Sequence, residues 1–218
     1  MARKPPTSPR KNASQERSRA TVDALVEATA RILVNEGFEK ASTNRIAEIA
    51  GVSVGSLYQY FPSKEALVAA VIDRHNEEIM AIVRNALKEI ADMPIDTAVR
   101  QLVTVAIEAH RINPKLHRVL VEQIPRTGQL KDVEAFNREV HTLVRAYLES
   151  RRKEMRKIDL DVATFICVSA IEAVAHNTVL ARAEAISEKM VRALVYETTR
   201  MIVGYLRKDR SSLSGKAI

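Results

Sequence analysis

The chain has 218 residues and one cysteine, Cys167. That excludes an internal disulfide framework and any metal site built from several thiolates. Tryptophan is absent and aromatics make up 4%, so Leu, Ile, Val and Ala must build the core. Six glycines and seven prolines are too few for the many turns of an all-β protein. No uninterrupted apolar run reaches the length of about 18 residues that a membrane span needs. Arg3, Lys4, Arg10 and Lys11 near the start have no apolar segment of a secretory signal behind them. A glycine-rich phosphate loop and a nucleophile elbow are both missing. Among His75, His110, His117, His141 and His176, no two stand four apart, and none has a set of metal-ligand partners in sequence. Cys167 sits in an apolar stretch and reads as an inert buried thiol. The expectation is a soluble cytoplasmic protein with no catalytic residue, no metal, no cofactor and no membrane partner.

What is present is apolar content of 46%, enough for a substantial core, and a formal net charge of +7. The charge is uneven. Within the first 20 residues Arg3, Lys4, Arg10, Lys11, Arg17 and Arg19 face only Glu16, and three prolines interrupt the stretch. Residues 1–15 read as a disordered basic arm, either a solubilising tail or an arm that meets a polyanion.

Helical periodicity covers nearly everything else. Val22, Leu25, Val26, Thr29, Ile32 and Leu33 form one stripe over 16–35, with Gly37 as its stop. Ser42 caps a helix of about two turns that ends at Gly51. Ser53 caps another over 54–60, which Phe61-Pro62 breaks. Ser63 caps a long helix with Leu67, Val71, His75, Ile79 and Ile82 on one face. Helices follow over 95–112, from Pro114, through 133–148, over 160–180 and after Ser187. The basic run 151–157 reads as a solvated helix end. The fold class is all-α: a three-helix domain over 16–62, a larger helical domain over 63–207 and a polar tail over 208–218.

Two short helices joined by a glycine turn describe a helix-turn-helix. Gly51 supplies the positive φ, Val52 and Leu57 anchor the second helix, and Ala47 allows close approach. Gly55 and Ser56 leave room for a helix to lie deep in a major groove. Tyr58, Gln59 and Tyr60 then have no need to be core. Lys64, in the first turn of the next helix, sits where free amides favour phosphate.

The stretch "ASTNRIAEIAGVSVGSLYQYFPSKEALV" resembles the DNA-binding domain of the TetR family of bacterial transcriptional repressors, from about Val22 to Val71. Its Ala-Gly-Val-Ser, Leu-Tyr, Tyr-Phe and Ser-Lys-Glu elements stand in the family's order. The resemblance implies a homodimer that binds a double-stranded DNA operator and responds to a small-molecule inducer. By position, it implies that Ser42 or Thr43 contacts phosphate and that Asn44 and Arg45 lie near base edges. Ser53, Val54, Gly55, Ser56 and Gln59 would form the recognition surface, while Tyr58, Tyr60 and Lys64 hold the backbone. The alternatives are structural: Tyr58 against the first helix, Arg45 paired with Glu48 or Glu16, Thr43 as no more than a cap.

A ligand pocket is expected among the helices from Ser63 to Arg156, lined by Ile82, Leu102, Leu120, Phe136 and Val140. Such a lining suits a hydrophobic or amphipathic molecule. Glu172, His176 and Asn177 are polar groups on an apolar helix, so burial demands partners; they face either that pocket or a dimer seam. The last two helices, with Val195 and Ile202, carry more apolar surface than one chain buries. The reading is a ligand-released repressor; a DNA-binding regulator governed by a protein partner or by abundance is the alternative.

Overall fold

The computed structural model describes residues 16–127, 130–180 and 186–207; the basic arm and the polar tail lie outside the described residues. Among these residues the elements are α1 (Glu16–Asn35), α2 (Thr43–Ala50), α3 (Val54–Tyr60), α4 (Lys64–Glu89), α5 (Ile95–Arg111), α6 (Pro114–Thr127), α7 (Leu130–Ser150), α8 (Leu160–Leu180) and α9 (Glu188–Leu206). Short 3-10 turns cover Phe38–Lys40 and Arg152–Glu154. The one β feature among them is an isolated antiparallel bridge, Met155 to Arg207.

The chain divides into two compact units, Met1–Glu78 with Asn113–Ala135, and Ile79–Ile112 with Phe136–Ile218. In the first unit Leu25, Ile32 and Leu33 of α1, Ile46 and Ala47 of α2, Leu57 of α3, and Phe61, Leu67 and Ile72 form one core. Each is nearly sealed from water, so truncating one of the large aliphatic chains to Ala costs about 2–5 kcal/mol. α1 stops where Gly37, at φ 83° and ψ 170°, takes a conformation that only glycine adopts cheaply.

α6 belongs to this unit, although the sequence assigns its residues to the larger domain. Asn113 Oδ1 accepts from Leu116 N at 3.2 Å, and Pro114 occupies the first helical position, where a missing N–H costs nothing. Leu116 and Leu120 then enter the core that α1 lines. Local periodicity marks α6 as amphipathic but cannot say which core receives its stripe.

In the second unit α5, α8 and α9 pack on one another. Val99, Val103 and Ile107 meet Leu160, Ala163, Cys167, Val168 and Ala175, with Val191, Ile202 and Leu206. Tyr147 of α7 joins them and its hydroxyl donates to Met93 O at 3.3 Å. Asp159 precedes α8 and caps it: its Oδ1 accepts from Asp161 N and Val162 N at 2.9 and 3.0 Å. Those two amides hold the Asp159 carboxyl below the usual carboxylate range. The basic run 151–157 is a clasp rather than a free helix end. Arg151 donates to Ala91 O at 2.6 Å, Arg156 Nε to Tyr205 O at 2.7 Å, and the Arg156 guanidinium lies 4.8 Å from the Tyr205 ring.

By length and composition alone α8 could span a membrane, with mean hydropathy 1.4, although Asp161 and Glu172 interrupt it. One face is nevertheless used inside the unit, with Leu160, Ala163, Thr164, Cys167, Val168, Ala175, Thr178 and Val179 buried.

Candidate nucleic-acid interface

α2, the Gly51 turn and α3 form a helix-turn-helix built from local bonds. Ser42 Oγ accepts from Arg45 N at 3.2 Å, capping α2. Gly51 lies in the left-handed region, at φ 68° and ψ 29°. Its N–H reaches Glu48 O at 3.1 Å, and Val52 N reaches Ala47 O at 3.0 Å, the paired bonds of a Schellman stop. Ser53 Oγ then accepts from Ser56 N at 3.1 Å and caps α3. Leu57, 0% exposed, holds α3 to Ile46 and Ala47 of α2 in the core.

The outer face of α3 is largely open to solvent. Ser53, Gly55, Tyr58 and Gln59 are exposed, and Val54 and Ser56 are half-buried. A Cβ placed on Gly55 would meet only Ser53 Oγ, at 3.9 Å, and Gly55 does not have positive φ. Nothing inside the fold therefore requires glycine there. Thr43 Oγ1 and the Tyr58 hydroxyl lie 3.1 Å apart, which joins the start of α2 to α3 across the outer surface. Asn44 is exposed beside Thr43.

Arg45 is exposed and engaged. It donates to Glu48 at 3.0 Å and to Glu36 at 3.4 Å. The hydrogen bond to Glu48 first, then the charge of Glu36, raises its pKa. Glu48 is an expected partner; Glu36 stands where the sequence suggests Glu16. Ion pairs this exposed contribute little, so the guanidinium can exchange them for a stronger anion.

Tyr60 departs from its expected place. It is 8% exposed within the first core, and its hydroxyl donates to Ser18 Oγ at 3.2 Å. The reason is geometric: residues two apart on a helix point about 200° apart. With Tyr58 outside, Tyr60 must point inward. Lys64 is half-buried, with Nζ 3.4 Å from Phe38 O and 4.1 Å from the Phe38 ring centroid. That contact holds the ammonium at the start of α4, where Ser63 Oγ caps Ala66 N at 3.2 Å.

The residues expected to line a ligand pocket do not gather within one unit. Leu120 is 2% exposed in the core of the first unit. Ile82 lines an open recess of about 250 Å³ in the second unit with Val105, Glu108, Ala109, Arg111 and Ile112. Leu102 and Val140 lie against the second core, and Glu172 and His176 are half-buried on α8. The side chain of Phe136 lies outside the described residues. Of the two α9 residues expected at a seam, Ile202 is 2% exposed inside its own unit, whereas Val195 is half-buried.

Comparison with known proteins places these features. Residues 25–71 match the family model described as bacterial regulatory proteins, tetR family. Residues 94–206 match the tetracyclin repressor-like C-terminal domain. The nucleoid occlusion factor SlmA of Haemophilus ducreyi is 32% identical over 112 residues, covering 50% of this chain and 52% of that protein. The chain thus spans about half the length of the SlmA relatives it matches. The HTH-type transcriptional regulator UidR of Escherichia coli is 27% identical over 144 residues, 66% of this chain and 70% of that one. A TetR-family transcriptional regulator of Mesorhizobium loti shares the fold with a TM-score of 0.73, at 16% identity, over 89% of this chain and 100% of that chain.

Proposed function

The chain belongs to the tetR family of bacterial regulatory proteins and is a DNA-binding transcriptional regulator; from that premise we propose that it is a cytoplasmic homodimeric repressor, released from a near-palindromic operator by a small hydrophobic or amphipathic ligand. The observation that carries the DNA reading is the outer face of α3, where Ser53, Gly55, Tyr58 and Gln59 are exposed and nothing inside the fold requires Gly55 to be glycine. Ser53, Val54, Gly55, Ser56 and Gln59 would enter the major groove, with Asn44 and Arg45 near base edges. Thr43, Tyr58 and Lys64 would hold phosphates, which position the protein without reading sequence. Tyr60 supports this surface from beneath.

The dimer reading is supported by α8 and α9. At 100° per residue, Val162, Ile166, Ala173 and Leu180 fall on one stripe of α8 with Phe165 at its edge. Val162, Phe165, Ile166 and Leu180 are 39–62% exposed, and on α9 Met190 and Met201 are 52% and 55% exposed. Covering this surface with its copy removes it from water. Two-fold symmetry then requires a symmetric operator, with half-sites spaced by the dimer.

A ligand that binds the released arrangement better than the DNA-bound one would shift the population away from DNA. Support for a ligand lies in the recess at Ile82, whose lining joins Ile82, Val105, Ala109 and Ile112 to the charged Glu108 and Arg111, an amphipathic surface. A second reading is control by a protein partner or by abundance. It is favoured by the likeness to SlmA, a nucleoid occlusion factor, and by the small size of that recess. The test is operator release. Amphipathic compounds screened by melting temperature should raise it and dissociate DNA at similar concentrations. If no stabilising compound releases DNA while a cellular protein does, the second reading replaces the first.

A further inference from the structure

The second unit holds a histidine pair that the DNA-binding reading leaves unused. His110 lies in the last turn of α5 and His176 on α8, and the two helices pack together. Their ring centroids are 5.1 Å apart, and each offers a ring nitrogen within 4.8 Å of the other's. His110 Nδ1 donates to Ala106 O at 2.7 Å, because a carbonyl only accepts. In the neutral ring Nε2 therefore carries the lone pair. Metal-bound imidazoles show this arrangement: one nitrogen tied to a backbone carbonyl, the other turned to the ion.

The surroundings suit the ligand form. Burial lowers the pKa of both rings, the direction that favours the neutral form metal binding uses. Glu172 precedes His176 by one helical turn and is half-buried. Its negative charge acts on His110, so it would also offset the charge of a cation there. Two nitrogens on one tetrahedral ion lie about 3.3 Å apart at bond lengths of 2.0–2.1 Å. Small ring rotations therefore suffice to close the site.

We propose that His110 and His176 bind a late first-row divalent ion of the Ni²⁺, Cu²⁺ or Zn²⁺ class. The charge of Glu172 acts on the His110 side. Imidazole selects these ions over Mg²⁺ and Ca²⁺, which take oxygen ligands. The remaining coordination positions are open to water or to an added ligand. The ion ties α5 to α8 within the second unit, and its binding does not depend on whether an organic inducer exists.

The probe is Co²⁺ titrated into the chelator-treated full chain, followed by its visible absorption and displaced with Zn²⁺. One equivalent per chain should bind. His110→Asn and His176→Asn should each weaken binding at least tenfold, while His141→Asn leaves it unchanged. Zn²⁺ should raise the melting temperature of the wild type and of His141→Asn only. The more exposed His176 position decides the matter if His110→Asn does not fold. Absence of Co²⁺ absorption in the wild type overturns the proposal. So does wild-type affinity in a folded His176→Asn, or equal loss in His141→Asn.

Discussion

Substituting Gly55 should separate folding from DNA binding. Gly55 lies in the first turn of α3 with ordinary helical backbone, and an added methyl would meet nothing closer than Ser53 Oγ at 3.9 Å. Glycine costs a helix about 0.5–1 kcal/mol relative to alanine. Gly55→Ala should therefore stabilise the isolated protein by about 0.5 kcal/mol, the lower figure because the site is near a helix end. In a chain of this size that raises Tm by about 1–2 °C. On DNA the same methyl would stand on the face proposed to enter the groove. Specific affinity should then fall while stability rises. Gly51→Ala is the counterpart: it also has open space around it, but its φ is 68°. Left-handed backbone costs a non-glycine residue about 1–2 kcal/mol, so Tm should drop by about 2–8 °C. Differential scanning calorimetry and fluorescence anisotropy on a labelled operator measure the two quantities. If Gly55→Ala is more stable and binds the operator as tightly as the wild type, no close approach occurs at α3 and the proposed docking is wrong.

Ile166→Asp tests the dimer. Ile166 is 41% exposed, so the change should cost the monomer little yet place a charge in the seam. Equilibrium sedimentation should show a monomer with unchanged helicity; an intact dimer would move the interface elsewhere. A second measurement uses pH. Arg84 donates to Glu139 at 2.7 and 3.0 Å and holds its carboxyl below the usual 4.5. A depressed folded-state value means the contribution is present above the unfolded-state value and is lost as pH falls through the folded-state value. Glu139→Gln should flatten the Tm profile between about pH 5 and 3, and an unchanged profile would show the pair to be inert. Burial pushes the Cys167 thiol up to about 12. A thiol reagent at about pH 8 should therefore label native protein far more slowly than urea-unfolded protein; equal rates would place the side chain at the surface.

The helix-turn-helix is legible in the sequence because its signals are local. Ser42, Gly51 and Ser53 act on backbone groups within a turn of themselves, so sequence spacing suffices to place them. Tyr60 is not read correctly when it is given the same role as Tyr58, because helical geometry sends residues two apart to opposite sides. Leu120 is legible as apolar but not as a partner of α1, since that choice is made across long sequence separation. The same distance hides His110 and His176, which come together only when α5 packs on α8. Ile202 and Val195 share a helix, and only the packing on α5 and α8 separates the buried one from the half-buried one.

The most direct test of the central claim is selection of randomised duplex DNA at two salt concentrations by the wild type, Gln59→Ala and Lys64→Ala. The account predicts a near-palindromic preferred site for the wild type. Gln59→Ala should lose preference at one or two positions of each half-site, at about 1–3 kcal/mol. Lys64→Ala should keep the preference and weaken all binding, with a salt slope reduced by about 0.9 for every phosphate that Lys64 neutralises in the wild-type complex. An unchanged site preference in Gln59→Ala, together with altered preference and an unchanged slope in Lys64→Ala, would contradict the assignment of α3 as the reading helix.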